Sequence, residues 1–163
     1  FNMKKILQPT YVFKVFNDIT VDFLKENGFK GILTDLDSTL TEHNCPEPDA
    51  NLIGWIKSVT DAGIRICIVS NNRIRRIYPF AKKIGIPCIC NAFKPDKAAI
   101  RQGLTVINRL PAETLFIGDQ LYTDIKGAEA VDIRSALVEP MGTKTTAFIK
   151  FKRFLERVIH KRK

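Results

Sequence analysis

No stretch of this 163-residue chain approaches the ~20 consecutive apolar residues that a membrane-spanning helix needs, which excludes a helical span in the sequence. The N-terminus lacks the long apolar core of a secretory signal, so a cytoplasmic or organelle-interior location is the expectation. Cysteine is scarce, with four in all. Cys88 and Cys90 stand one residue apart, which projects both thiols to one face of a strand, and Cys45 and Cys67 do not supply the second pair of a zinc site. The thiols therefore read as small reduced hydrophobes packed in a core. There is no internal repeat and no low-complexity segment. At 45% hydrophobic residues, the chain can bury a core without disulfides or metals as staples, and one domain is expected.

What the chain does have is a series of polar stations, each placed just after an apolar run. Gly31-Ile32-Leu33 leads into Asp35-Leu36-Asp37-Ser38-Thr39-Leu40. Strands of a parallel sheet read as continuous apolar runs, and ligands of such sheets bind outside the strands' carboxyl ends. If the extended backbone continues, Asp35 and Asp37 point the same way. Ile64-Arg65-Ile66-Cys67-Ile68-Val69 then runs into Ser70-Asn71-Asn72, and Ile86-Pro87-Cys88-Ile89-Cys90 precedes Lys94-Pro95. Finally, Thr114-Leu115-Phe116-Ile117 is followed by Gly118-Asp119-Gln120, with Asp124 five residues beyond Asp119. The stations supply a carboxylate pair, a hydroxyl with amides, one lysine and a second carboxylate pair. Phosphoryl transfer through an aspartyl phosphate needs that inventory: an ionised nucleophile, an adjacent acid/base, donors for the phosphoryl oxygens and carboxylates for Mg²⁺.

In these four stations the chain resembles the haloacid dehalogenase (HAD)-like phosphatases, over roughly residues 29–140. More narrowly, Gly31-Ile32-Leu33-Thr34-Asp35-Leu36-Asp37, Val69-Ser70-Asn71-Asn72, Lys94-Pro95 and Gly118-Asp119-Gln120-Leu121-Tyr122-Thr123-Asp124 are similar to the YqeG-like group, subfamily IIIA. That group is in turn similar to the mitochondrial phosphatidylglycerophosphatases. The resemblance implies that Asp35 is the nucleophile and Asp37 the acid/base. It implies that Ser70, Asn71 and Lys94 bind the phosphoryl group, and that Asp119 binds Mg²⁺ together with Asp35 and the backbone carbonyl of Asp37. Asp124 supports the site, either holding the metal through water or orienting Lys94. Ser38 stands where many relatives carry Asn.

A coarse reading alternates strands near 31–34, 64–69, 86–90, 114–118 and 134–138 with helices near 20–27, 49–63, 74–84, 96–108 and 123–131. Asp49 can cap the second helix, Gly28 and Gly63 close the first two, and Pro79 obscures the start of the third. Right-handed crossovers then give an α/β fold with a doubly wound parallel sheet, HAD-like and Rossmannoid. The expected organisation is an N-terminal extension with a short helix over 1–28, a core over 29–140 and a basic amphipathic helix over 141–163. Asp37 and Ser70 are 33 positions apart, and Ser70 and Asp119 are 49 apart. Helix-strand units consume both intervals, which leaves no room for a cap domain. Relatives with caps close over small metabolites and exclude water. A capless site suits a phosphate on a lipid, a protein or a nucleic-acid end, or is covered by another subunit; the oligomeric state stays open.

Charge bears on the partner. The net formal charge is +9, and Lys150, Lys152, Arg153, Arg157, Lys161, Arg162 and Lys163 against Glu156 put +6 of it in the last fourteen residues. On a helical wheel, Phe148, Phe151, Phe154, Leu155, Val158 and Ile159 share one face, opposite Lys150, Arg153, Arg157 and Lys161. Such a helix either lies in an anionic membrane interface or packs its aromatic face on the domain's own sheet, leaving a solvated basic face. Arg73, Arg75 and Arg76, just past Ser70-Asn71-Asn72, are either helix-start arginines in solvent or a substrate rim for a second phosphate or phosphodiester. His43 is a loop histidine close to the carboxylate pair.

The stations thus point to a Mg²⁺-dependent phosphomonoesterase, and the resemblance implies a lipid phosphate such as phosphatidylglycerophosphate as its substrate, met by a protein peripheral on a membrane. Phosphatases of proteins, nucleic-acid ends or metabolites are the alternatives. A phosphate-receiving signalling domain needs no carboxylate two residues after the phosphorylated one. A basic nucleic-acid or membrane-surface binding module needs none of the four stations.

Overall fold

The computed structural model describes residues 7–142 together with Arg153, Phe154 and Arg157. Six parallel strands form one sheet: β1 (Tyr11–Phe13), β2 (Gly31–Thr34), β3 (Arg65–Val69), β4 (Cys88–Ile89), β5 (Thr114–Gly118) and β6 (Arg134–Val138), in the order β1-β6-β5-β2-β3-β4. The helices are α1 (Val21–Glu26), α2 (Ala50–Asp61), α3 (Ile74–Ile84), α4 (Lys97–Ile107) and α5 (Lys126–Ala130). This is the expected doubly wound α/β sheet, with no cap domain among the described residues.

Alternation along the strands sorts the core into two layers. Ile32, Ile66, Ile68, Leu115 and Ile117 pack with Leu24 of α1, Leu52, Trp55 and Ile56 of α2, and Ile77 and Phe80 of α3. Their neighbours Leu33, Cys67, Val69 and Phe116 face the other way, against Ile100 and Leu104 of α4 and Ala128 of α5. Period-two side-chain alternation on strands buried on both faces requires this arrangement. The helix starts follow capping chemistry. Thr20 Oγ1 accepts from Phe23 N at 3.1 Å and Asp49 Oδ1 from Leu52 N at 2.8 Å.

Three elements depart from the sequence expectation. Strand β1 was not anticipated, because a three-residue strand carries almost no periodic signal; it pairs with β6 in the register Tyr11↔Ala136. The strand expected over 86–90 shrinks to β4, an edge strand bonded to β3 alone. The helix expected over 123–131 begins as a π turn at Leu121–Ile125, in which the Asp124 and Ile125 N–H groups both donate to Gln120 O, at 3.0 and 3.2 Å. Such a widened turn is a usual way of aiming a side chain at a site. Helix α3, in contrast, continues past Pro79, which stands in its solvent-exposed part.

Of the cysteines, Cys67 alone is fully buried. Burial pushes its thiol up to about 12 and that of Cys90 up to about 11, as expected for packed, unreactive thiols. Among the described residues, no helix is long and apolar enough to cross a membrane. The 141–163 helix lies largely outside the described residues. Of its wheel, Phe154 is half-buried against Ile125 and Leu137, while Arg153 and Arg157 are exposed.

Candidate active site

All four polar stations meet at the carboxyl end of the sheet, around an open cavity of about 300 Å³ lined by Asp35, Asp37, Ser38, His43, Ser70, Asn71, Asn72, Lys94, Gln120 and Thr123. Central placement of β2 explains the convergence. Its neighbours are β5 and β3, so the loop carrying Asp35 and Asp37 is flanked by those carrying Asp119 and Ser70. Asp35 continues the ladder, its N–H donating to Ile117 O at 3.0 Å. The chain then turns back at Ser38, whose φ of +63° lies in the left-handed region that suits Asn or Gly better than Ser. That turn directs Asp35 and Asp37 into the same cavity.

Lys94 is the electrostatic centre. Its side chain is 1% exposed, and Nζ lies 2.7 Å from Asp124 Oδ1 and 3.2 Å from Asp35 Oδ1. Burial alone would favour the neutral amine, but the carboxylates of Asp124 and Asp35 outweigh it and hold the ammonium above its ordinary range. Asp124 is fully buried, and its second oxygen accepts from Gln120 N at 3.2 Å. Gly118 makes this possible, because a Cβ there would lie 2.3 Å from Asp124 Cβ. Asn71 works on the lysine from the other side. Its Oδ1 accepts from Lys94 N at 2.6 Å and its Nδ2 donates to Lys94 O at 3.3 Å, so this amide positions the lysine backbone.

Asp35, Asp119 and Asp124 bring carboxylate oxygens within 4.8 Å of one another. The crowding shows in their protonation. Burial pushes Asp35 up to about 8 against the pull of Lys94, with Asp124 and Asp119 adding to the rise. Asp119 is pushed up to about 6 by burial and by Asp124, while Thr39, whose Oγ1 donates to Asp119 Oδ1 at 2.9 Å, opposes the shift. A divalent cation would relieve this repulsion, and the carboxylates of Asp35 and Asp119 are hard donors that suit one by charge and ligand type, while both Asp124 oxygens are engaged by Lys94 and Gln120.

Asp37 has different surroundings. Arg76 Nη2 and Nε donate to its Oδ1 at 2.8 and 3.2 Å, Asn44 N donates to the same oxygen at 2.9 Å, and Asn72 Nδ2 donates to Oδ2 at 3.0 Å. Burial would raise this carboxyl, but the hydrogen bonds from Arg76, Asn72 and Asn44 outweigh it and hold the group below the usual carboxylate range. Ser70 is buried, and its Oγ accepts from Asn72 N at 3.0 Å; a hydroxyl so engaged can still donate its own proton to a ligand.

Of the three arginines after Ser70, Arg76 pairs with Asp37 from outside the cavity lining, while Arg73 and Arg75 are exposed. His43 is exposed on the cavity wall. The sequence reading assigned no role to Thr39, Asn44 or Asn72. The only signal for Thr39 and Asn72 was their place within the polar stations; Asn44 had none.

The family description HAD-hydrolase-like matches residues 92–153. Among curated proteins, the probable phosphatase YqeG of Bacillus subtilis is 36% identical over 157 residues, covering 96% of this chain and 91% of that protein. Among solved structures, a HAD-superfamily hydrolase from Ehrlichia chaffeensis is similar at TM-score 0.59 and 14% identity, over 82% of this chain and 98% of that one. The cobalt-bound deoxy-D-mannose-octulosonate 8-phosphate phosphatase of Haemophilus influenzae is similar at TM-score 0.51 and 20% identity, over 82% and 90% of the two chains. Those structures carry the fold, and the Bacillus relative carries the family: this chain belongs to the HAD-like phosphatases, in the family of YqeG.

Proposed function

We propose that the chain is a Mg²⁺-dependent phosphomonoester hydrolase working through an aspartyl phosphate on Asp35. One observation carries this reading. The largely buried Asp35 carboxylate, 13% exposed, stands between the buried Lys94 ammonium and the Asp119–Asp124 pair, on the wall of a cavity it shares with Asp37 and Ser70. A carboxylate oxygen of Asp35 attacks phosphorus as the ester oxygen leaves and takes a proton from Asp37. Asp37, now ionised, accepts a proton from the water that hydrolyses the acyl phosphate, releasing phosphate and restoring both carboxyls. Lys94 and Ser70 donate to the oxygens of the transferring group. Asp124 supports this by fixing Lys94 Nζ. Asp35, Asp119 and the Asp37 backbone carbonyl would hold Mg²⁺, whose charge offsets the repulsion between a carboxylate nucleophile and a phosphate dianion.

A capless, open cavity favours a phosphate presented on something large. A lipid phosphate of the phosphatidylglycerophosphate kind at an anionic membrane surface fits best, with the +9 charge helping a cytoplasmic protein to stay peripheral on it. The carboxylate at position 37 speaks for turnover over phosphate storage, and the converging stations speak against nucleic-acid binding as the main activity.

The test is a screen of phosphomonoesters with and without Mg²⁺, including phosphatidylglycerophosphate in mixed micelles alongside phosphoproteins, nucleic-acid ends and soluble metabolites. Asp35→Asn removes the attacking charge and keeps the shape, so it should abolish turnover and leave the circular dichroism spectrum intact. Substantial p-nitrophenyl phosphate hydrolysis by that variant would refute the covalent mechanism.

A further inference from the structure

Two aromatic side chains stand in solvent at the mouth of the cavity. Phe93 is 75% exposed and Tyr122 is 77% exposed, and each directly precedes a residue of the cavity wall, Lys94 and Thr123. A single exposed apolar side chain is ordinary; what sets these apart is how they are held. Ala92 and Lys94, on either side of Phe93, are buried, with Ala92 N donating to Ser70 O at 2.9 Å and Lys94 N to Asn71 Oδ1 at 2.6 Å. Between these anchors the Phe93 backbone takes a φ of +52°, the left-handed region that bulky residues avoid. Tyr122 belongs to the π turn that carries Asp124 to Lys94. The two loops meet, since a Cβ on Gly127, just past the turn, would lie 3.5 Å from Pro95 Cα.

Basic side chains share this end of the sheet. Arg73 and Arg75 are exposed at the start of α3, directly after the Ser70-Asn71-Asn72 wall. Arg153 and Arg157 are exposed on the helix whose Phe154 packs on Ile125 of the π turn and on Leu137 of β6. Glu42, Glu47 and Asp96 on neighbouring loops offset these arginines only in part, and Glu47 pairs with Lys83.

We propose that the mouth of the site is the face that docks on an anionic bilayer, with Phe93 and Tyr122 entering the headgroup region while Arg73, Arg75, Arg153 and Arg157 meet the headgroups. The inference rests on the lipid-phosphate reading above and adds the face and the residues by which the protein meets the membrane. A headgroup phosphate has to enter the cavity to reach Asp35, so the mouth must lie against the bilayer. Aromatic rings settle at that depth, and arginines are drawn to anionic lipid. The charge supplies most of the attraction, and the aromatic pair sets the orientation. A second copy of the chain suits the face poorly, because two-fold pairing would set arginines against arginines.

The experiment places a fluorescent reporter on the face. Trp55 is the sole tryptophan and is buried, so a tryptophan added at the surface reports its own surroundings. In the full chain, mixed with phosphatidylglycerol vesicles carrying brominated acyl chains, emission from Phe93→Trp should shift to the blue and be quenched. Leu110→Trp is the control, at an exposed site before β5, at the other end of the sheet, and should not change. Phe93→Asn suits the positive φ and so keeps the loop, and Tyr122→Ser removes the second ring. Each should weaken vesicle binding at about 0.1 M salt by roughly 3- to 10-fold, which partial burial of one aromatic side chain contributes. Turnover of phosphatidylglycerophosphate in vesicles should fall in step, with p-nitrophenyl phosphate hydrolysis unchanged. Quenching of neither reporter, or of Leu110→Trp, overturns the docking face. So does an equal loss on the soluble substrate, or self-association of the wild-type chain that Phe93→Asn abolishes. Quenching needs no chemistry, so intact quenching of Phe93→Trp without turnover of either substrate in Mg²⁺ would overturn the phosphatase reading and support the docking face.

Discussion

Asp37 and Asp35 are two residues apart in the chain and in opposite electrostatic settings. Hydrogen-bond donors surround Asp37, and its charge is favoured. Asp35 is crowded by burial and by other carboxylates, and its proton is favoured. Two chemically identical groups are thus driven apart. In the metal-free chain the preferences are the reverse of an ionised nucleophile at Asp35 and a proton donor at Asp37. The proposed roles therefore require a bound cation to hold Asp35 ionised and a proton taken up by Asp37 before the ester oxygen leaves. Replacing Asp37 by Asn should slow hydrolysis of alkyl phosphates by roughly 10²- to 10⁴-fold, the usual worth of general acid–base catalysis, and p-nitrophenyl phosphate less, since its leaving group needs little protonation. An equal loss on both substrates would make Asp37 structural. The crowding of Asp35 and Asp119 has a thermodynamic consequence as well. A carboxyl whose folded-state pKa lies above its unfolded value binds more protons when folded, so stability falls as pH rises through the interval. For Asp35 that interval runs from 3.8 to about 8, and for Asp119 from 3.8 to about 6, when no cation is bound. A cation bound to the ionised carboxylates competes with those protons. The melting temperature in chelator should therefore decline between pH 5 and pH 8, and the increment produced by Mg²⁺ should be larger at pH 8. Equal increments at the two pH values would separate the acidic cluster from the metal.

Strand β1 and helix α1 attach to the sheet through aromatic rings and not through a polar site. Phe29 is 2% exposed, its ring centroid is 6.1 Å from that of Tyr11, and the Arg134 guanidinium lies 3.9 Å from the ring centre. These contacts sit before β2 begins, at the opposite end of that strand from Asp35. Phe29→Ala should thus cost about 3–5 kcal/mol in urea denaturation, as core Phe-to-Ala changes do, while kcat of the folded enzyme is kept. Loss of kcat at full stability would mean that this edge reaches the site. The elements themselves were readable in proportion to their signal. The apolar runs behind β2, β3, β5 and β6 located those four strands to within a few residues, and the capping residues Thr20 and Asp49 located the starts of α1 and α2. The π turn was not readable, because it exists to bring Asp124 onto Lys94, a partner 30 positions away.

If the protein works at a lipid surface, as proposed, its net charge and open site set how it meets that surface. Phe154 packs on Leu137 and Ile125 while Arg153 and Arg157 face solvent, the arrangement expected of a terminal helix that gives its aromatic face to the fold and its basic face to the medium. Contact with anionic lipid should then be electrostatic, screened over about 10 Å at 0.1 M salt. Sedimentation with anionic vesicles should be strong at low salt and lost at high salt, and absent with zwitterionic vesicles. Phe154→Ala should lower the melting temperature and leave vesicle binding in place. Salt-resistant binding that this substitution abolishes would instead place the aromatic face in the bilayer.

Read from the sequence, the order of polar stations at the ends of apolar runs determined the fold class, the family and the identity of Asp35, Asp37, Ser70, Lys94, Asp119 and Asp124 as the residues to examine. Such runs are local, and the side chains beyond them need only be of the right type. Tertiary structure alone decided how those residues are paired: Lys94 between Asp35 and Asp124, Thr39 on Asp119, Asn71 on the lysine backbone, Arg76 and Asn72 on Asp37. Each of those contacts joins positions between 23 and 80 residues apart. Pairings at that range depend on strand order and on the turns that aim the side chains, and neither is encoded in spacing. Electrostatic roles follow from the pairings, which is why two aspartates of one short motif acquire opposite protonation preferences only once the chain has folded.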